Sequence, residues 1–203
     1  AVYEAATRIP FLLKVPGKNQ GLVREELVST IDIFPTLMNA ATRSERQPYQ
    51  GRSLLPLTRA DAAPVWRRNL FTEYITHAPY HFYPRYAVRD DRYKLILNTL
   101  GGKSANPLIP KNYCNAWWEA QTDKYKKTPI RRAYIRVEHP PRLELYDLQN
   151  DPYEWHNVAN DPKLTAVKER LFSSLQNWRE ITNDPLLDPV EFAKAADKWS
   201  SHD

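Results

Sequence analysis

Residues 86–98 read YAVRDDRYKLILN, two short runs rich in Tyr, Val, Leu and Ile on either side of Asp90-Asp91. Paired aspartates between β-favouring runs predict a tight antiparallel hairpin, Tyr86–Arg89 on one arm and Arg92–Leu97 on the other. The same texture extends outward. NLFTEYI (69–75) is a strand candidate upstream. RLELYDL (142–148) is another downstream, with Leu143 and Leu145 alternating, Tyr146 as a further apolar candidate, and Asn150-Asp151-Pro152 as its closing turn. Asp161 is then a good N-cap with Pro162 at N1. Leu164, Val167, Leu171, Leu175, Trp178 and Ile181 follow at three- and four-residue steps, one apolar stripe that must lie across a sheet. Residues from about 64 are therefore expected to form a small antiparallel sheet of about four strands, packed on a helix over about 162–182. The tail after Asn183 reads as polar and Pro-rich, with one turn at 190–199.

Toward the N-terminus, RIPFLLKV (8–15) reads as a strand closed by Pro16-Gly17, and Leu22–Val28 as a second extended stretch. Ser29 or Thr30 caps a short helix, IDIFPTLMNAA (31–41), with Asp32 in the first turn, where the helix dipole favours a negative charge. Pro35 is tolerated there because it precedes most of the backbone N–H groups the helix must bond. Residues 43–64 read as a polar loop around GRSLLPL (51–57), and a change of composition near Pro64 divides the chain into 1–63 and 64–203.

Composition narrows the function. Apolar residues are 42 % and charged residues 26 %, enough to bury a core. No apolar run approaches the roughly 18 residues of a membrane span. One cysteine, Cys114, excludes an internal disulfide and a Cys-based zinc site. Five glycines leave no G-x-G-x-x-G, no Walker loop and no G-x-S-x-G elbow. Charge is uneven: residues 1–60 carry +3, 61–142 carry +8 and 143–203 carry −6. The densest basic run is Lys124–Arg142, which reads either as a solvated face or as an attractor for an anionic substrate or polyanion.

Few side chains suggest chemistry. His77 and His81 are four apart, but Pro79 between them argues against a helical metal site. Flanked by Tyr80, Phe82, Tyr83 and Arg85, they suit an aromatic, cationic rim, so His77, His81 and Arg85 are the substrate-binding candidates; no metal ligand is assigned. Asp90-Asp91 reads as a turn before it reads as a catalytic carboxylate pair, and Asp32 as a helix-start residue. Trp117-Trp118, in a long Pro/Gly/Asn-punctuated excursion (99–129), reads as packing or as a stacking platform for sugar rings.

Four segments in fixed order carry a resemblance: YEAATRIPFLLKVPG (3–17), LVSTIDIFPTLMNAA (27–41), YAVRDDRYKLILN (86–98) and LELYDLQNDPYEWHNVANDP (143–162). Together they resemble the C-terminal third of a type I sulfatase, of the formylglycine-dependent, alkaline-phosphatase-like superfamily. Within it, LFTEYITHAPYHFYPRYAVRDDRYKLILN and the late run RRAYIRVEHPPRLELYDLQNDPYEWHNVANDP are similar to the heparan N-sulfatases (sulfamidases). The resemblance implies an α/β fold, with residues 1–63 ending the large domain and 64–203 forming the small C-terminal one. Tyr3-Glu4-Ala5-Ala6 departs from the Tyr-Glu-Gly-Gly of many sulfatases, and the C/S-x-P-x-R sequence that yields formylglycine is absent.

The resemblance therefore implies a catalytic portion upstream that holds formylglycine and calcium. It implies no catalytic residue in this chain, which alone is expected to be inactive, and a sulfated carbohydrate as substrate, with N-sulfoglucosamine ends of heparan-type chains foremost. Nucleic acid is not an expected partner, the oligomeric state is open, and the family implies a periplasmic, secreted or lysosomal setting. The competing readings are an O-sulfatase or phosphoesterase of the same superfamily, and a non-catalytic polyanion-binding domain.

Overall fold

The computed structural model describes residues 2–17, 21–42, 49–59, 64–76, 82–102 and 115–200. Helix α1 is the single turn Glu4–Thr7 and α2 runs Ile33–Thr42; strands β1 (Leu70–Tyr74), β2 (Arg85–Arg89) and β3 (Tyr93–Asn98) follow. Then come α3 (Asn115–Ala120), α4 (Pro129–Glu138), β4 (Leu143–Asp147), α5 (Thr165–Ile181) and α6 (Pro189–Ser200). The chain divides into two compact units, residues 9–70 and residues 1–8 with 71–203.

In the larger unit the strands form one four-stranded sheet in chain order, β1-β2-β3-β4. β2 and β3 pair antiparallel from Arg85 opposite Asn98 to Arg89 opposite Lys94. β3 and β4 pair antiparallel with Lys94 opposite Tyr146 and Ile96 opposite Glu144. The hairpin turn is made by Asp90, whose Oδ1 accepts from the N–H of Arg92 (2.9 Å) and of Tyr93 (2.5 Å), while Oδ2 takes Arg170 at 2.6 Å. Burial raises the Asp90 carboxyl, but these donors outweigh it and hold the group below its ordinary range. That is the turn role expected of it.

Because side chains alternate along a strand, each strand divides its residues between two faces. Tyr86, Val88, Leu95, Leu97 and Leu145 share one face with Leu171 and Leu175 of α5. Phe71 stacks on Trp178 with ring centroids 5.0 Å apart and planes 2° from parallel. Asp161 caps the turn Pro162–Leu164 by accepting from the N–H of Lys163 (2.9 Å), as its position before a proline predicts. The last turn of α5 differs from expectation. Ile181 is 68 % exposed, and the inward position belongs to Arg179, four residues after Leu175. Its guanidinium lies 4.1 Å from the Tyr86 ring and pairs with Asp184 at 2.7 Å, which makes a charged residue tolerable in that place. Replacing Leu175 with Ala should cost about 3 kcal/mol, and Ile181 with Ala less than about 0.5 kcal/mol. Urea midpoints of the two variants check this; equal midpoints would place the helix face wrongly.

Tyr146 is a second correction. Leu143 and Leu145 point as read, but Tyr146 necessarily faces the opposite side with Glu144. Asn157 closes the outer edge of β4, donating to the carbonyl of Leu143 (3.2 Å) and accepting from the N–H of Leu145 (2.9 Å).

Among the described residues, 8–15 form no strand. Leu12 is 97 % exposed, and Pro10 removes a ladder donor, so the segment lacks the neighbour a strand needs. The region read as excursion and basic run contains α3 and α4. α4 starts at Thr128-Pro129, with the Thr128 hydroxyl accepting from the N–H of Arg131, and it carries Ile130, Ala133, Tyr134 and Val137 at three- and four-residue steps between its charged positions. The tail carries not one turn but α6, three turns long, opened by Asp188 accepting from the N–H of Val190 (2.7 Å). Phe192 of α6 meets Phe82 edge-on at 5.4 Å.

In the unit of residues 9–70, Ser29 is the N-cap of the turn Thr30–Asp32 that leads into α2, and Ser29 and Asp32 form a reciprocal capping box. The segment around GRSLLPL is not a free polar loop. Leu54 and Leu57 are buried, and Gly51 packs so close to the Ile31 carbonyl that a Cβ there would lie 2.1 Å from its oxygen.

Candidate functional site

The second face of the sheet is polar and buried together. Arg85, Ala87 and Arg89 come from β2, Lys94, Ile96 and Asn98 from β3, and Glu144 and Tyr146 from β4. Val2 covers its apolar centre of Ala87, Ile96 and Tyr146, with Tyr3, Tyr74 and Leu148 packed around them. Burying so many ionic groups is tolerable only if each finds a partner. At one end they do. Glu4 takes Arg89 at 2.6 Å and Lys94 at 3.0 Å, and Lys94 also reaches Glu154 at 3.1 Å. The backbone N–H of Glu4 donates to Glu154 as well, at 2.6 Å. Burial pushes the Glu154 carboxyl upward and Lys94 pulls it back in part. Glu154 sits at φ 57°, a left-handed conformation that these contacts hold in place.

At the centre Glu144, fully buried, is the acceptor. Its oxygens take the Tyr3 hydroxyl (3.0 and 3.1 Å), the Tyr146 hydroxyl and the Asn98 amide (2.8 Å), and Arg136 of α4 lies 3.5 Å away. Burial, then the charge of Glu144, raises both tyrosines far above the ordinary phenol range, so they stay neutral donors. Arg136 also donates to the carbonyls of Trp155 (2.9 Å) and Glu154 (2.7 Å). One member of the basic run is thus turned inward and occupied, while Lys124, Lys126, Lys127, Arg132 and Arg142 are exposed.

At the other end stands Arg85, the predicted site residue that the structure describes. It is 3 % exposed, so it is no open rim. Its guanidinium lies 5.0 Å from the Tyr83 ring, and its Nε and Nη2 have no hydrogen-bond partner. Its cross-strand partner Asn98, fully buried, leaves Oδ1 without a partner too. His77, His81 and Cys114 lie outside the described residues, as does the side chain of Trp117; Trp118 is 55 % exposed on α3. Sequence reading missed Asn98 and Glu144. Their signal was the period-two alternation that puts Lys94, Ile96 and Asn98 on one face and Glu144 and Tyr146 beside them.

The C-terminal family model of N-sulphoglucosamine sulphohydrolase matches residues 1–100. Human N-sulphoglucosamine sulphohydrolase is 30 % identical over 204 residues, covering 91 % of this chain and 39 % of that protein. The chain is a C-terminal portion of a sulfatase. An ulvan-active sulfatase of Formosa agariphila is 28 % identical, over 91 % of this chain and 35 % of its own length. A 2-O GAG sulfatase structure shares the fold, with a TM-score of 0.59 at 20 % identity, over 93 % of this chain and 34 % of that one. The sulfatase segment thus spans little more than a third of the curated relatives it matches. The four-stranded antiparallel sheet with its long helix is the small C-terminal domain expected of that superfamily.

The family implies formylglycine and calcium. This segment contains no C/S-x-P-x-R sequence, and among the described residues no three His, Cys, Asp or Glu side chains gather to hold a metal. The described residues fit neither group. Among the described residues no helix is long and apolar enough to cross a membrane.

Proposed function

We propose that the full-length protein hydrolyses the sulfamide or sulfate ester of sulfated sugars, with N-sulfoglucosamine ends of heparan-type glycosaminoglycans as the preferred substrate. Formylglycine and calcium, held upstream, supply the nucleophile and the Lewis acid. Residues 1–63 complete the large α/β domain, and 64–203 wall and steady the substrate cleft. The observation that carries this reading is the 30 % identity, over 91 % of the chain, to the human N-sulphoglucosamine enzyme. The net charge of +8 over residues 61–142 supports an anionic substrate. Exposed apolar residues in the smaller unit, Ile9 and Leu12 before α2 and Phe34 and Leu37 on it, support a further domain that covers them. A periplasmic, secreted or lysosomal compartment fits membership of that superfamily.

Sulfate release by the full-length protein from N-sulfoglucosamine, glucosamine 6-sulfate and a sulfate-free control tests the proposal. The N-sulfo sugar should be turned over fastest, and the 203-residue chain alone should give no release above blank. Absence of release from every sulfated sugar overturns the sulfatase activity; preference for the 6-sulfate overturns the sulfamide assignment. His77 and His81 remain substrate-binding candidates, since an imidazole N–H can donate to a sulfate or hydroxyl oxygen. In the full-length enzyme His77→Ala should raise KM about tenfold and leave kcat within about twofold, because such contacts act in ground and transition states alike. An unchanged KM removes His77 from the site.

A further inference from the structure

Four cations belong to the buried polar face, and three are spoken for. Arg89 and Lys94 share Glu4, and Arg136 has Glu144 with two carbonyls. Arg85 is nearly as buried as Lys94, yet its Nε and Nη2 reach no acceptor; what it has is the Tyr83 ring at 5.0 Å. A ring face recovers only part of what a guanidinium loses on leaving water. Directly opposite in the β2–β3 register, Asn98 spends its amide N–H groups on Glu144 and on the Pro141 carbonyl, both at 2.8 Å. Its Oδ1 is left over. Two donors and one acceptor without partners thus share one face of the sheet at a single cross-strand pair. Glu144 cannot serve Arg85, because Tyr3, Tyr146 and Asn98 fill its oxygens.

We propose that Arg85 and Asn98 form a binding site for one small oxyanion group, the sulfonate or carboxylate of a sugar. The site rests on the sulfatase reading only for naming the sugar. A guanidinium presents Nε and Nη2 in the fork that two oxygens of one anionic group accept side by side. Asn98 Oδ1 accepts from a hydroxyl or N–H carried next to that group, which a sulfamide or a sugar hydroxyl provides.

Thermal unfolding of the 203-residue chain tests this, in sodium sulfate against sodium chloride at equal ionic strength, then with N-sulfoglucosamine, glucuronate and glucosamine. Sulfate and at least one of the anionic sugars should raise Tm saturably, by about 4 °C at tenfold excess over Kd, and glucosamine should not. Response to glucuronate but not to N-sulfoglucosamine identifies the group as a carboxylate. Arg85→Met should unfold at a higher temperature than the parent in chloride, because it removes an unpaired buried charge, and should lose the saturable response. Asn98→Asp, which gives Arg85 an internal partner, should lose it as well. A sulfate-dependent shift of the Arg85 Nε–Hε resonance reads the same contact without any substitution.

An equal sulfate response in parent and both variants overturns the site, as does the absence of a saturable response in the parent. A response in the 203-residue chain that disappears in the full-length protein overturns it too, in favour of an upstream carboxylate on Arg85. Failure of the full-length protein to release sulfate, with anion binding intact, sinks the activity and leaves this site standing.

Discussion

Lys94→Met should lower the stability of the sheet by about 4 kcal/mol, with a fall in Tm of about 12 °C. Lys94 is 1 % exposed and holds Glu4 at 3.0 Å and Glu154 at 3.1 Å. Removing the ammonium leaves two carboxylates facing each other in a buried space. Arg89 still serves Glu4, but Glu154 keeps only the backbone N–H of Glu4. An uncompensated buried charge, not the lost attraction, is the large cost. Glu154→Gln should cost less, about 1–2 kcal/mol, since an amide needs no counter-charge. In the double variant most of the Lys94→Met penalty should vanish, because the stranded charge is gone. Additive losses in a denaturant double-mutant cycle would show that the pair does not act through charge. The backbone adds to the effect: Glu154 sits at φ 57°, and without Lys94 nothing ionic holds it there.

The second large effect is expected at Asp32, which is fully buried and accepts four hydrogen bonds. Oδ2 takes the Ser29 N–H (2.8 Å) and Arg67 Nη1 (2.7 Å); Oδ1 takes the Arg52 N–H (2.8 Å) and Arg67 Nη2 (2.5 Å). One carboxylate thus caps the turn leading into α2, fixes the segment at Gly51-Arg52 and pairs Arg67 bidentately. Asp32→Ala should cost about 4 kcal/mol within residues 9–70, by stranding Arg67 and freeing the half-buried N–H groups of Ser29 and Arg52. Hydrogen exchange should show protection lost over α2 and residues 51–58, and kept in β2 and β3. Asp32→Asn retains the cap and should recover about a third of the loss. Protection unchanged in α2 would reduce Asp32 to a minor cap.

Local chemistry alone determined much of this protein. The Asp90-Asp91 hairpin, the Asp161-Pro162 helix start, the Ser29 cap and the Leu171/Leu175 face follow from neighbours in the chain, so the residues that cause them lie within a few positions of one another. The same reading could have reached α6, because Asp188-Pro189 repeats the start signal of Asp161-Pro162. The ordered motifs also carried the sulfatase assignment, since a series of short patterns survives without knowledge of how they meet. What only the tertiary structure decided is the polar face. Glu4, Lys94 and Glu154 stand 90 and 60 residues apart in sequence, and no periodicity says that one end of the chain lies on the sheet. Arg85 is the sharpest case. Sequence made it part of an aromatic, cationic rim with His77 and His81, because those residues are its neighbours in the chain. The β2–β3 register turns it inward opposite Asn98, and burial without a partner is a property of that pairing and of no single residue.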